Sequence, residues 1–539
     1  MSRPLKEGDL RSGVATPWVW SLAALLSLPA YLVPIANPDL FWHLSAARWM
    51  AAHHAVPRAD WLSLSMSGAP WLDFEWLSQL VFGAFYKLGG FFGLWLLKGI
   101  CLLAVWLLLD GALKRRAVPS MARAACLLIW STAALMHSDI RPELFSLIFF
   151  ALTLGVLEEL RARKLTVSPA VLAGAALMFA AWSNLHLGFI AGLSLIALYG
   201  LVCFSFDCGK LLAAAVLGTL INPYGLGPYQ VAWGHFTAGS QLSRFILEWQ
   251  PMWASNNPVF WIFWPLLIAA AAASIILWRR GARAPALAAV GLAVGALAHE
   301  RGAAFFNIAA VYAIGLAASR NIRWLWALAA LCGVFALWNA PRVPRRSFFA
   351  DRYVPRETTA FIAAQREVFA GKRVYNPWEW GGYLGWRLSP WYKVFEDGRY
   401  IFHEELPREA AAVADFDKWK EFVDSEKFDA LLLQNLPKHF PTTKVYPDGS
   451  RKEFQRPYYF FFAPRQDWAL VHWDETSLLF VRRASVPTDW LKAHEYRFVR
   501  PYDGAAFAEA MAHGEIPRNV VDAESRRHLL ESEELSHGL

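Results

Sequence analysis

Along residues 1–340 the apolar positions come in long unbroken runs, whereas from 341 onward they alternate with charged and polar residues over short stretches. A helix needs about 20 apolar residues to cross the hydrocarbon of a bilayer. Eleven segments fit that pattern in whole or in part: 17–36, 91–113, 120–137, 142–160, 166–183, 187–206, 210–222, 259–278, 284–299, 303–319 and 323–340. The weakest are 210–222 and 284–299, and removing both leaves the parity unchanged. The first run holds two prolines between Leu26 and Ala36 and no small-residue cleavage site, so it reads as an uncleaved first span. Between the first two runs, 40–52 and 74–88 carry apolar residues at helical spacing with polar ones opposite, which predicts two helices lying in the membrane interface. Trp42, Trp49, Trp61, Trp71 and Trp76 supply an aromatic belt there.

The later part of the chain predicts a small α/β domain. FDALLLQ reads as a buried strand, and WALVHWDETSLLFVRR as two strands around a polar turn at Asp474–Thr476. Residues 405–425 form one amphipathic helical pattern, PRVPRR after Ala340 reads as a linker, and the charged stretch 515–539 as a solvated, partly mobile tail. Trp378, Trp380, Trp386 and Trp391 suit core or interface anchors better than sugar platforms, and Glu396, Asp397 and Arg399 in FEDGRY read as a turn. The expected organisation is mainly α: a bundle at 1–340, an extracytoplasmic α/β domain at 341–514 and the tail at 515–539.

Composition sharpens this. Of 539 residues, 56% are hydrophobic, 28 are Trp and only 18% are charged, which excludes an ordinary soluble enzyme. The net charge of +8 lies wholly in the first 340 residues, where 23 Lys and Arg face 14 Asp and Glu; the rest has 29 against 30. Those cations sit in short loops, as membrane topology requires, so nucleic acid is not called for. Arg3, Lys6 and Arg11, then Lys114, Arg115, Arg116 and Arg123, then Arg161, Arg163 and Lys164, then Lys210, then Arg279, Arg280 and Arg283, then Arg320 and Arg323 all fall on one side. That side is the cytoplasm, which puts the N-terminus inside and the C-terminal domain outside. Cys101, Cys126, Cys203, Cys208 and Cys332 lie in or beside apolar segments and suggest neither disulfides nor a CxxC metal site.

The opposite loops collect different residues: Asp39 and His43 after the first run, Asp73 and Glu75 in WLDFEW, Asp139, Arg141 and Glu143 in HSDIRPE. Asn184 and His186 follow in WSNLHLGF, then Asn222 and Tyr224, Arg244 and Glu248, and His299, Glu300 and Arg301. Any one acid beside a span is more often a solvated loop charge, but charges flanked by Trp and Phe in five loops indicate a polar cavity at the outer face. No HExxH, GxSxG or GxxxxGK[ST] occurs. Transfer of a sugar from a lipid phosphate needs a carboxylate to take the acceptor proton and cations to hold the departing phosphate. Asp39 fits the first role, and Arg141, Arg244, Arg301 or His186 the second. A transporter or flippase of a lipid-linked or polar substrate, and a non-catalytic assembly factor, remain as alternatives; few charges at mid-span and no internal repeat weigh against transport.

NPDLFWHLSAARWM, EWLSQLVFGAFYKLGGFFGLWLLKGICLLAVWLLL and SDIRPELFSLIFFALTL together resemble the GT-C superfamily of polytopic glycosyltransferases, such as protein mannosyltransferases and lipid A aminoarabinose transferases. Bacterial glycosyltransferase-like membrane proteins share a similar start and segments like SNLHLGF, INPYGLGPY, EWQP and PWEWGGYLGWRLSPWYKVFEDGR, so the resemblance covers most of the chain. It implies a multi-pass protein of the bacterial inner membrane that takes a polyprenyl-phosphate-linked sugar donor, with Asp39 as base and Asp73, Glu75 and Asp139 helping to bind donor or acceptor. His43, Arg141, Glu143, Asn184, His186, Arg244 and Arg301 complete the expected binding set. The acceptor is a lipid, glycan or protein. Protein mannosyltransferases carry two adjacent acids after the first span, whereas Leu40 follows Asp39 here, which weighs against a protein. The sequence leaves a divalent cation at the acids open and calls for no other cofactor.

Overall fold

In the computed structural model, residues 17–163, 166–318, 322–339, 348–446 and 448–537 are described. The predicted basic positions Arg3, Lys6, Arg11, Lys164 and Arg320, and the whole PRVPRR linker, lie outside them. The chain is mainly helical with a C-terminal strand region, and a helix lies over each of the eleven apolar segments. They are α1 (Pro17–Leu32), the second half of α3 (Trp76–Arg115), α4 (Ser120–Ala134), α5 (Glu143–Arg163), α6 (Pro169–Leu185), α7 (Phe189–Cys203), α8 (Phe206–Thr219), α10 (Phe263–Arg279), α11 (Arg283–Ala298), α12 (Ala303–Ala317) and α13 (Arg323–Asn339). Among the described residues two stretches are long and apolar enough to cross a membrane, Trp76–Arg115 and Pro258–Arg279, and five further apolar helices (Pro17–Leu32, Pro169–Leu185, Phe189–Cys203, Arg283–Ala298 and Arg323–Asn339) are shorter. Helix α2 (Asp39–His53) covers the first expected interfacial segment. The second is the start of α3, which breaks at Gly89 and Gly90, where Gly90 takes a φ of 57° that only glycine adopts cheaply. Helix α9 (Gly227–Leu242) had no counterpart in the sequence reading: Gly234 and Gly239 interrupt its apolar spacing, and Trp233 and Phe236 are exposed.

By residue contacts the chain forms two compact units. The first is residues 1–37, 50–56 and 72–350; the second is 38–49, 57–71 and 351–539, so it includes most of α2 and part of the first long loop.

In the first unit, α4 packs against α1, α12 and α13, α3 against α5, and α6 against α8. The polar groups within the bundle are paired. Glu158, 1% exposed, accepts from Arg161 at 2.8 and 2.9 Å and from the hydroxyls of Tyr199 and Tyr312, each at 2.8 Å, which ties α5 to α7 and α12. An unpaired carboxylate there would face a desolvation cost of several kcal/mol. Glu143 stands at the other end of α5, about 22 Å away at 1.5 Å per residue, so polar chemistry is confined to the helix ends.

The second unit is built on a sheet ordered β1 (Val374–Tyr375), β2 (Ala430–Gln434), β6 (Ser477–Arg482), β5 (Trp468–Trp473), parallel at β1–β2 and antiparallel elsewhere; β3 (His439–Val445) and β4 (Arg451–Pro457) form a separate hairpin. Alternation along the strands sends Leu432, Val471 and Leu479 into one core and Leu431, Leu470 and Leu478 into another, so both faces are covered. The expected strands and the Asp474 turn are present: the Asp474 carboxylate accepts from Thr476 N and Ser477 N at 2.8 and 2.7 Å.

Three expectations need correction. Residues 405–425 are two helices, Leu406–Val413 and Phe416–Ser425, because the Asp415 side chain caps the second by accepting from Asp417 N and Lys418 N at 3.0 Å. The tail holds an ordered helix, Arg518–His537, anchored by buried Glu524, which accepts from the backbone of Arg497, Phe498 and Val499 at 2.9 Å. FEDGRY is more than a turn. Arg399, 1% exposed, contacts Asp397 at 2.7–3.0 Å and Asp60 at 2.7 Å and lies over the Trp71 ring at 4.6 Å. The Asp60 side chain also accepts from Leu62 N, Ser63 N and the Ser63 hydroxyl, so one ionic cluster fixes the loop before α3.

The glycines of WEWGGYLGW allow close packing on one face of the Trp378–Leu388 helix. A Cβ at Gly381 would overlap the Glu396 carbonyl, and one at Gly382 would press on Pro38 O and Trp42 N at 3.2 Å. Removing one partner of a buried ion pair costs about 3–5 kcal/mol. Asp60→Ala is therefore expected to lower the thermal unfolding midpoint of the detergent-solubilised protein by several degrees, while Lys393→Ala, at an exposed bond to Ser67, leaves it unchanged. Equal midpoints for Asp60→Ala and the parent would remove the cluster from any structural role.

Candidate active site

In the first unit, the α4–α5, α6–α7 and α11–α12 connections, the start of α3 and the segment after α9 bring five of the eleven expected residues together: Glu75, Arg141, Glu143, His186 and Arg301. Glu75 immediately precedes α3 and is 9% exposed. Its Oε1 is 3.9 Å from Nε2 of His186, which follows α6 in extended backbone. The other ring nitrogen of His186 accepts from Gly188 N at 3.0 Å and lies 2.8 Å from the Ser146 hydroxyl. Ser146 in turn accepts from Trp182 Nε1 at 2.6 Å, so its own proton is directed at the ring. With Nδ1 thus an acceptor, the network assigns the proton of the neutral ring to Nε2, facing Glu75.

Around this pair, Arg141 is ion-paired with Glu248, and His137 Nδ1 is 3.7 Å from Glu143. Arg301 lies over the Trp249 ring at 6.0 Å, and the 299–301 turn is joined to the 249–250 segment by His299 Nδ1 to Trp249 O at 2.8 Å and Glu300 N to Gln250 O at 2.9 Å. Among the described residues Arg301 has no carboxylate at ion-pair distance, and it is half-buried. Burial pushes the Glu248 carboxyl up, but the Arg141 and Arg301 guanidiniums outweigh it and hold the group below its usual range. Glu300 is raised, chiefly by burial.

Other expected residues serve the scaffold. Asp73 accepts from Gln79 Nε2 at 2.6 Å, and its N–H donates to the Tyr224 hydroxyl at 3.2 Å. Asn184 accepts from Trp76 Nε1 at 2.8 Å and donates to the Ala180 and Ile221 carbonyls at 2.7 Å. Asp139 accepts from Ala36 N at 2.9 Å and Ile140 N at 2.7 Å, a use that ties the chain after α1 to the α4–α5 connection. Arg244 is exposed just after α9. His137 and Ser146 were missed as partners; their signal was only position, one residue before SDIRPE and one helical turn after it.

Asp39 and His43 belong to the second unit. Asp39 occupies the first turn of α2. Gly398, between Asp397 and Arg399, makes room for it: a Cβ there would overlap the Asp39 carboxylate. His43 is 2% exposed, its ring 3.6 Å from that of Trp42. Among the described residues no three His, Cys, Asp or Glu side chains are grouped to hold a metal ion. Of the two guanidiniums Arg141 is committed to Glu248, which leaves Arg301, with no carboxylate at pairing distance among the described residues, as the group suited to an anion.

Burial, with Arg301 adding to it, lowers the His186 pKa from 6.5 to about 3. The unfolded chain therefore takes up a proton near pH 6.5 that the folded protein refuses until about pH 3, and stability falls with pH across that window. His186→Gln, which has no proton to gain, is expected to show a shallower loss of thermal midpoint between pH 7 and 4 than the parent. Parallel pH curves for the two would show that His186 is not held neutral.

No protein-family model matches the chain, and no curated protein matches it. Among solved structures it is similar to the crystal structure of ArnT from Cupriavidus metallidurans bound to undecaprenyl phosphate, at 14% sequence identity and a TM-score of 0.48, over 87% of this chain and 98% of that one. The apo-state crystal structure of the same protein matches at 13% identity with the same TM-score and coverage.

Proposed function

We propose that this chain is a multi-pass glycosyltransferase of the bacterial inner membrane, which moves a sugar from a polyprenyl-phosphate-linked donor to an acceptor at the external face. The observation that carries this reading is the convergence of Arg141, Arg301, His186, Glu75 and Glu248 at one set of helix ends, with Arg301 half-buried and, among the described residues, facing no carboxylate at pairing distance. A departing phosphate monoester supplies the anion such a site lacks, and the interface is where the reactive end of a lipid carrier resides. The basic loops support an inside N-terminus and an extracytoplasmic second unit.

In the proposed inverting reaction, Asp39 takes the proton of the acceptor hydroxyl. The freed oxygen attacks the anomeric carbon, the bond from that carbon to the phosphate oxygen breaks, and its electron pair leaves with the polyprenyl phosphate. Arg301 and Arg141 stabilise the charge gathered on the leaving group, a role worth several kcal/mol in a water-poor site. His186, neutral with Nε2–H toward Glu75, orients that carboxylate without adding a third cation. Asp73, Asn184 and Asp139 hold the surrounding loops through the bonds already given.

Asp39→Asn keeps the shape and removes the base, so transfer of labelled sugar from a panel of polyprenyl-phosphate donors is expected to fall by about 10²–10⁴. The variant should remain monodisperse in detergent with an unchanged thermal midpoint. Full activity in Asp39→Asn would remove Asp39 as base, and a parent protein that consumes no donor would favour transport or a scaffold role.

A further inference from the structure

The second unit contains a cavity of about 880 Å³, within the range of small-molecule sites. Its wall comes from four stretches: the segment at 351–357, Asn435 with the β5–β6 turn, Pro501–Tyr502, and the tail helix through His528 and Ser532. Apart from the Asp474–Thr476 turn, none of these residues belongs to the polar clusters described above.

The chemistry of the wall selects against an anion. Two guanidiniums, Arg352 and Arg356, stand among four carboxylates, and Arg356 is already paired with Asp351 at 3.2 Å. The Asp474 carboxylate is consumed by its own turn and by Thr358, leaving Glu475 exposed. Three buried polar atoms of wall residues lack a protein partner: the Trp473 Nε1 donor, the Asn435 Oδ1 acceptor and His528 Nδ1. Asn435 is 9% exposed, and its amide nitrogen is committed to Asp474 O at 2.7 Å. Tyr502 adds an aromatic ring, 47% exposed. Unused donors and acceptors, an aromatic face and no surplus positive charge suit a ligand rich in hydroxyls, each of which both donates and accepts.

We propose that this cavity is a saccharide-binding site for an uncharged oligosaccharide, with Tyr502 as the platform and Glu475, Arg352 and Asn435 bonding to hydroxyls. The site goes beyond the transferase reading and does not rest on it, since its test reads binding and not turnover.

Full-length protein in detergent is titrated by calorimetry with maltotriose, mannotriose and chitotriose, and separately with inorganic phosphate. Saturable binding of at least one trisaccharide is expected, and phosphate should not displace it. Tyr502→Asn, chosen because Asn tolerates the φ of 59° at this position, and Glu475→Gln each remove one contact at the surface. Each is expected to weaken binding about tenfold, the equivalent of one hydrogen bond or ring contact. The proposal is overturned if none of the three trisaccharides binds, if phosphate displaces the sugar, or if both variants bind as the parent does.

Discussion

A guanidinium that leaves water entirely must be neutralised, and in the second unit that requirement organises everything near the proposed base. Arg399 is met by Asp397 two residues before it and by Asp60 from the first long loop. The first pairing bends 397–399 into a tight turn and leaves Gly398 at its crest. The second draws in the 60–63 loop, whose backbone N–H groups then find the remaining Asp60 lone pairs. Because the crest is glycine, the start of α2 can lie against it, and Asp39 stands in the space a methyl group would fill. The FEDGR and EWGGYLGW segments are thus two parts of one device that seats a single carboxylate at a helix N-terminus.

The first unit follows the same rule with a different outcome. Glu158 is saturated by four donors and can do nothing else. At the opposite helix ends one cation is left over: among the described residues Arg301 has no carboxylate at pairing distance and lies over the Trp249 ring. A guanidinium so placed retains capacity for an anion, whereas the groups bonded at 2.8 Å around Glu158 have spent theirs. That contrast, more than the number of charges, separates the candidate site from the structural clusters.

Apolar run length was enough to locate eleven helices, because a helix in hydrocarbon satisfies its own backbone and needs no partner to be recognised. Alternation similarly revealed β5 and β6, and the apolar run FDALLLQ revealed β2. What the pattern hid depends on contacts between residues far apart in sequence. Arg399 looked like a turn residue because its second partner, Asp60, lies more than three hundred positions away. The tail looked solvated because its charges were counted without seeing that Glu524 caps three backbone N–H groups. The 405–425 stretch keeps helical periodicity across Asp415, so only the capping geometry divides it. For the site, residue types at the loops identified Glu75, Arg141, His186 and Arg301, but nothing in the sequence separated them from Asp139 and Asn184, which are equally polar and committed to the backbone.

The placement of Asp39 fits the demands of the proposed chemistry. A helix N-terminus favours the carboxylate form and so makes a weaker base. In attack on a sugar phosphate this costs little, since the leaving group is already a stabilised anion and the acceptor hydroxyl need lose its proton only as the new bond forms. What the reaction needs from Asp39 is that it be ionised at neutral pH and fixed in position. The first turn of α2 sets its position, and Gly398 in the Arg399 turn leaves the space it occupies. Strengthening the base by burying it further would sacrifice the first property, and giving residue 398 a side chain would sacrifice the second.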